Sequence, residues 1–397
     1  MGRLIVNTGL TLDGVMWRAA VMAAGLVVVA GAGEAQRSLP VVVGWGVDTT
    51  GAVAWIDIPM AEDVRVIFRR WAGYLRSDPR QQAPTSLWSA EEQRRWPQYD
   101  LTASIAYHGF PATVLEIRSA APEAPGGYVV KTLFASAAGP DRGIRPIALT
   151  RVYAIREGGQ WVFSNALTHL TRDWRREAVG PITYVLEPGY PFDRDRAGRA
   201  VRFADSLAAA FEVPGLERLT WYLTGSPERL YRIMGVEWTV GGAGFGYASY
   251  GDRLIFSGDP SVGEDYRHEI AHFVLGPLQS AGDTHPLINE GVAAWLGGSM
   301  GRDFRTLMAE YAAYLRSRPE VTLDSVLAPE GPDRGTRPGG ATLALMAFEQ
   351  GGVMAVKDLL ASGRSTAQLQ AALGRILGID WPAIAARWRT RALAFGG

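Results

Sequence analysis

The stretch Tyr266-Arg267-His268-Glu269-Ile270-Ala271-His272-Phe273-Val274 carries a His-Glu-x-x-His pattern on residues that suit a helix. At about 3.6 residues per turn, His268 and His272 stand one above the other on a single face, so both imidazoles can converge on one ion. Glu269, beside the first histidine, can reach a water held at that ion without displacing a ligand, which makes it the candidate general base. Catalytic zinc usually takes three protein ligands and keeps a fourth position for water, so one more donor is needed. The segment Ile288-Asn289-Glu290-Gly291-Val292-Ala293-Ala294-Trp295 begins a second helical pattern, and a helix end, a loop and a return can bring the Glu290 carboxylate back to the ion. The chain has only five histidines, so two at this spacing around a glutamate are an uncommon chance event.

Composition narrows the chemistry further. Cysteine is absent, which excludes disulfides, thiolate zinc sites and cysteine nucleophiles. A metal must therefore be held by histidine and carboxylate. Lys+Arg and Asp+Glu balance at 40 each, so no basic field favours a polyanion and nucleic acid is not an expected partner.

The two motifs together resemble the gluzincins, zinc metallopeptidases that share a His-Glu-x-x-His helix and a downstream Asn-Glu-Gly helix, and most nearly the bacterial peptidase MA-like domains. The resemblance implies one Zn2+ held by His268, His272 and Glu290, with Glu269 as base and a peptide or protein as substrate. The metzincin pattern would require Gly and His where this chain has Leu275 and Leu278, and is excluded. The resemblance runs from about Gly180 to the end. It takes in the closing features Gly340 to Gly352 and Asp380-Trp381 to Trp388.

Two departures stand out. Many relatives supply a Tyr or His just before the helix that here starts near Ala341, yet this stretch reads Asp333-Arg334-Gly335-Thr336-Arg337-Pro338-Gly339-Gly340. Arg337, Arg334 or His285 are the candidate oxyanion or substrate contacts in its place. Thermolysin-like enzymes also place a carboxylate four residues after the glutamate ligand to orient a histidine, and that position is Ala294. Asn289 or a backbone carbonyl is left to do so.

Along the chain, Trp17-Arg18 precedes an uncharged run from Ala19 to Gly33 and the small residues Ala30, Ala32 and Ala35. Residues 1–36 therefore read as a signal peptide or N-terminal anchor, with Met16 a more conventional start, and the protein is expected to be exported, periplasmic or secreted. Residues 37–178 form the expected N-terminal α+β domain. Its helix over Asp63–Leu75 and strands at Val41–Val43, Val53–Ile58, Val114–Ile117, Tyr128–Phe134, Ile147–Ile155 and Gln160–Phe163 resemble a cone-shaped, cystatin-like arrangement. Residues 179–397 form the expected zinc peptidase-like domain, a mixed sheet followed by a helical subdomain, so the fold class is α+β. Gly244–Tyr250 and Leu254–Phe256 read as paired strands, offering an edge along which an extended peptide can lie. Three functions fit: an exported zinc peptidase, a catalytically weak zinc-fold binding module, or a zinc hydrolase of a non-peptide amide.

Overall fold

The computed structural model describes residues 61–76, 86–96, 110–137, 144–240, 246–279, 284–328 and 336–396. The segment 1–36, the strands expected at Val41–Val43 and Val53–Ile58, and Arg334 lie outside them. Helix α1 (Glu62–Arg76) opens on Glu62 and Asp63 and closes on Arg76, charges that complement the helix dipole. Its Ile67, Trp71 and Tyr74 recur every three or four positions and are buried. The short α2 (Ala90–Arg95) is capped by the Ser89 hydroxyl, which accepts from the Glu92 amide.

Four strands follow as an antiparallel meander: β1 (Ala112–Ser119), β2 (Tyr128–Ala137), β3 (Ile144–Glu157) and β4 (Gln160–Ser164). The β3–β4 turn uses Gly158 and Gly159, both at positive φ, as a tight hairpin of right-handed strands requires. Helix α1 covers one face of this sheet. Trp71 meets Phe163 at 4.8 Å, and its indole N–H donates to Thr132 Oγ1 at 2.8 Å.

The chain continues through α3 (Ala166–Leu170), β5 (Arg175–Val179), β6 (Ile182–Leu186), α4 (Arg194–Phe211), β7 (Leu219–Leu223), α5 (Pro227–Ile233), β8 (Val236–Thr239), β9 (Gly246–Ser249) and β10 (Leu254–Ser257). A second sheet forms in the order β5-β6-β7-β10-β9. Its centre is parallel, β6 to β7 and β7 to β10, while β5 and β9 pair antiparallel at the two edges. Strand β8 instead joins the first sheet beside β3, with Trp238 opposite Leu149. The central strands are apolar on both faces because both are covered. Tyr184, Trp221 and Ile255 pack with α4, whose Ala197, Ala200 and Ala204 let it lie close. Val185, Tyr222 and Phe256 face the other way, against Leu167 of α3 and Leu230 and Ile233 of α5.

The remainder is helical: α6 (Arg267–Leu275) with a 3-10 turn at Gly276–Leu278, α7 (Pro286–Gly297), α8 (Phe304–Ser317), α9 (Leu323–Leu327), α10 (Thr336–Leu360), α11 (Thr366–Leu377) and α12 (Trp381–Leu393). Asp303, Thr322, Ser365 and Asp380 cap α8, α9, α11 and α12 with side-chain oxygens. Gly351 and Gly352 leave helical geometry and break α10 into two segments. The protein is thus mixed α and β, with two sheets and a helical C-terminal part. Among the described residues no helix is long and apolar enough to cross a membrane.

Candidate metal centre

Helix α6 is buried on most sides. Ile270, Ala271, Val274 and Leu275 join the core beneath the second sheet, which fixes the roll of the helix. His268 and His272 are buried, and their rings meet edge to face with centroids 4.9 Å apart. Helix α7 is started by His285, whose ring Nδ1 accepts from the Leu287 amide at 3.2 Å. Burial lowers the His285 imidazole to about 4, so it stays neutral and able to accept. This is where the structure places His285: it is the cap of the helix that carries Glu290.

Two glycines let α7 end against α6. A Cβ on Gly297 would fall within 3.0 Å of the backbone of Arg267 and His268. Gly298, at a φ of 73° that favours glycine, accepts from His268 Nδ1 on its carbonyl at 2.9 Å. His272 Nδ1 donates to Asn289 Oδ1 at 3.1 Å, and Gln279 Nε2 donates to the same oxygen at 2.7 Å. Both imidazoles therefore donate from Nδ1 and turn Nε2 inward. Asn289 and a backbone carbonyl stand where no carboxylate is available from Ala294.

The inward atoms converge. His268 Nε2 and His272 Nε2 are 3.3 Å apart, Glu290 Oε2 is 3.3 Å from His268 Nε2, and Glu290 Oε1 is 3.6 Å from His272 Nε2. Lone pairs at such separations repel unless a cation lies among them: a proton in the bare protein, a metal ion otherwise. A tetrahedral ion with bonds of about 2.0–2.1 Å has its donor atoms roughly 3.3–3.4 Å apart, which the two Nε2 atoms match, and one ligand atom from each of the three residues lies within 4.8 Å of the others, so the set fits zinc by donor type. His268, His272 and Glu290 could hold a metal ion. Burial tends to raise the Glu290 carboxyl, but Arg337 and the two imidazoles outweigh it and hold that group well below the usual carboxylate range. It is ionised, as a ligand must be.

Glu269 is buried beside this cluster. Burial raises its carboxyl above the usual value, against the pull of His272. The Tyr250 hydroxyl donates to its Oε2 at 3.3 Å. Arg337, on the first turn of α10, donates from Nε to Glu290 Oε2 at 2.8 Å and from Nη1 to Ser299 Oγ at 3.1 Å. The structure thus brings Arg337 to the cluster.

Sequence reasoning missed Tyr250, Ser299 and Gln279, and it expected a backbone carbonyl without naming that of Gly298. Only Tyr250 left a signal: a polar aromatic closing a strand pattern shortly before the His-Glu-x-x-His helix. For the Asn289 contact we expect Asn289→Leu to weaken zinc binding about 10- to 100-fold, since the imidazole would lose the partner that fixes its tautomer. Competition with a chromophoric chelator would measure it, and unchanged affinity would show that the contact does not orient His272.

No protein-family model matches the chain, and no curated protein matches it. Among solved structures it is similar to an M1 zinc metallopeptidase from Deinococcus radiodurans, at 15% identity and a TM-score of 0.33 over 72% of this chain and 62% of that one. It is also similar to a mutant two-domain M1 zinc metallopeptidase bound to L-tryptophan, at 13% identity and a TM-score of 0.34 over 72% and 62% of the two chains. The chain spans less than two thirds of the length of these structures.

Proposed function

We propose that this protein is an exported zinc-dependent metallopeptidase, with His268, His272 and Glu290 as ligands and Glu269 as general base. The observation that carries the reading is the convergence of the Nε2 atoms of His268 and His272 and both carboxylate oxygens of Glu290, with contacts of 3.3–3.6 Å, beside the buried Glu269 on the helix of the two histidines. When bound, zinc supplies Lewis acidity toward water and a substrate carbonyl. The rest is the work of this chain's own residues. Glu269, whose carboxyl is raised by burial, takes a proton from the attacking water and returns it to the leaving amine. Arg337 holds Glu290 in place. Its guanidinium, beside the cluster, is the cationic donor proposed for an oxyanion. Strand β9, with β10 on one side and no strand on the other among the described residues, offers main-chain groups to an extended peptide. Export rests on the signal-like pattern of residues 1–36, and the division into an N-terminal domain at 37–178 and a peptidase domain at 179–397 is part of the same proposal.

The test is metal analysis joined to turnover. Purified protein should carry about one zinc ion per chain. Chelation should stop cleavage of a mixed peptide library, and added zinc should restore it. Stoichiometric zinc without cleavage of any peptide would favour the binding-module reading, and absence of zinc binding would end both.

A further inference from the structure

We propose that Tyr250 is a positioning residue for the base: its hydroxyl holds one oxygen of Glu269, so that the other alone is open to take the proton from water. The inference rests on the reading of Glu269 given above. Tyr250 follows β9, the edge strand of the second sheet, and reaches across to α6. Its hydroxyl lies 3.3 Å from Glu269 Oε2, while Glu269 Oε1 has no hydrogen-bond donor among the described residues. Its ring is held between neighbours, edge-on to His272 with centroids 5.8 Å apart and tilted on Phe273 at 5.0 Å. The donor therefore cannot swing away without breaking that packing. A glutamate side chain has three rotatable bonds, and a base that must meet a water at one point gains from having one oxygen fixed. A phenol also stays in place when a substrate displaces solvent from the cleft, which a bound water would not.

Tyr250→Phe removes the hydroxyl and keeps the ring. Zinc content should be unchanged, KM should stay within about twofold, and kcat should fall about tenfold, the worth of one hydrogen bond to a charged group. Because Tyr250 acts through Glu269, adding Tyr250→Phe to a Glu269→Gln protein should alter the residual rate by less than about twofold. A full tenfold loss in that background, or loss of zinc, would overturn the proposal.

A second readout does not depend on turnover. In protein labelled with 13C at glutamate carboxyls, the Glu269 resonance is identified by its disappearance in Glu269→Gln. Tyr250→Phe should shift that resonance in the metal-free protein, and a resonance that does not move shows that the contact is not made. Should the wild type prove inactive toward every peptide, the peptidase reading fails by itself, and the carboxyl resonance still decides whether Tyr250 holds Glu269.

Discussion

Glu269→Gln is expected to lower peptide turnover roughly 10²- to 10⁴-fold, the range for removing a positioned acid–base group, while zinc remains at wild-type stoichiometry. Gln keeps the shape of the side chain and its helix propensity, and its amide oxygen can still accept from the Tyr250 hydroxyl. It cannot take up a proton at neutral pH. The inward Nε2 atoms of His268 and His272 and the Glu290 carboxylate are untouched, so the metal has no reason to leave. Stability should not suffer either. Burial raises the Glu269 carboxyl, which means that the metal-free folded state holds its proton more tightly than the unfolded chain and loses stability as pH rises through this group. A neutral amide removes that dependence. Turnover that survives the substitution would assign the base elsewhere, and zinc loss would make Glu269 a ligand or a packing residue.

What could be read from the sequence depended on how local its cause was. The His268–His272 pair follows from helical spacing alone, and the structure keeps both on one face of α6. Ser226 followed by Pro227 announces the start of α5, and Gly351-Gly352 marks the break in α10, because caps and glycine punctuation are local. The return of Glu290 is not local. It depends on Gly297 allowing one helix backbone to touch another, a fact that no spacing rule contains.

The two strands that escaped notice did so for opposite reasons. Strand β5, Arg175-Arg176-Glu177-Ala178-Val179, is an edge strand largely open to solvent, so it shows no apolar alternation. Strand β8 has four residues and pairs with β3, far away in the chain, so its signal lies in a partner rather than in itself. At the centre the sequence pointed to Asn289 and Arg337 as candidates, but which side chain each would meet lay in a partner distant along the chain. Asn289 on His272 and Arg337 on Glu290 are 17 and 47 positions apart in the chain.

The Asn-Glu-Gly segment gains a physical meaning from this geometry: Asn289 meets a histidine, Glu290 turns its carboxylate to the two imidazoles, and Gly291 lets α7 and α10 touch backbone to backbone. A Cβ on Gly291 would lie within 3.0 Å of Gly340 Cα and carbonyl carbon, and one on Gly340 within 3.0 Å of the Leu287 carbonyl oxygen. These are main-chain atoms of packed helices, so no side-chain rotation can relieve the overlap. Gly340→Ala should therefore push α10 off α7 and loosen the buried contacts around Leu287, Ile288, Ala341 and Ala344. We expect a loss of about 3 kcal/mol or more, at the upper end of overpacking, read as a fall in the urea midpoint without a rise in the slope. Zinc affinity should fall with it, because Glu290 and Arg337 flank the contact and their 2.8 Å pairing depends on the same helix separation. Gly73→Ala is the matched control. Gly73 is in α1 with nothing within 4 Å of an added Cβ, so the change should stabilise by about 0.5–1 kcal/mol through backbone entropy. If Gly340→Ala kept wild-type stability, the backbone contact would be absent and Glu290 would need another means of return. If it lost zinc but kept stability, the contact would serve the metal centre and not the core.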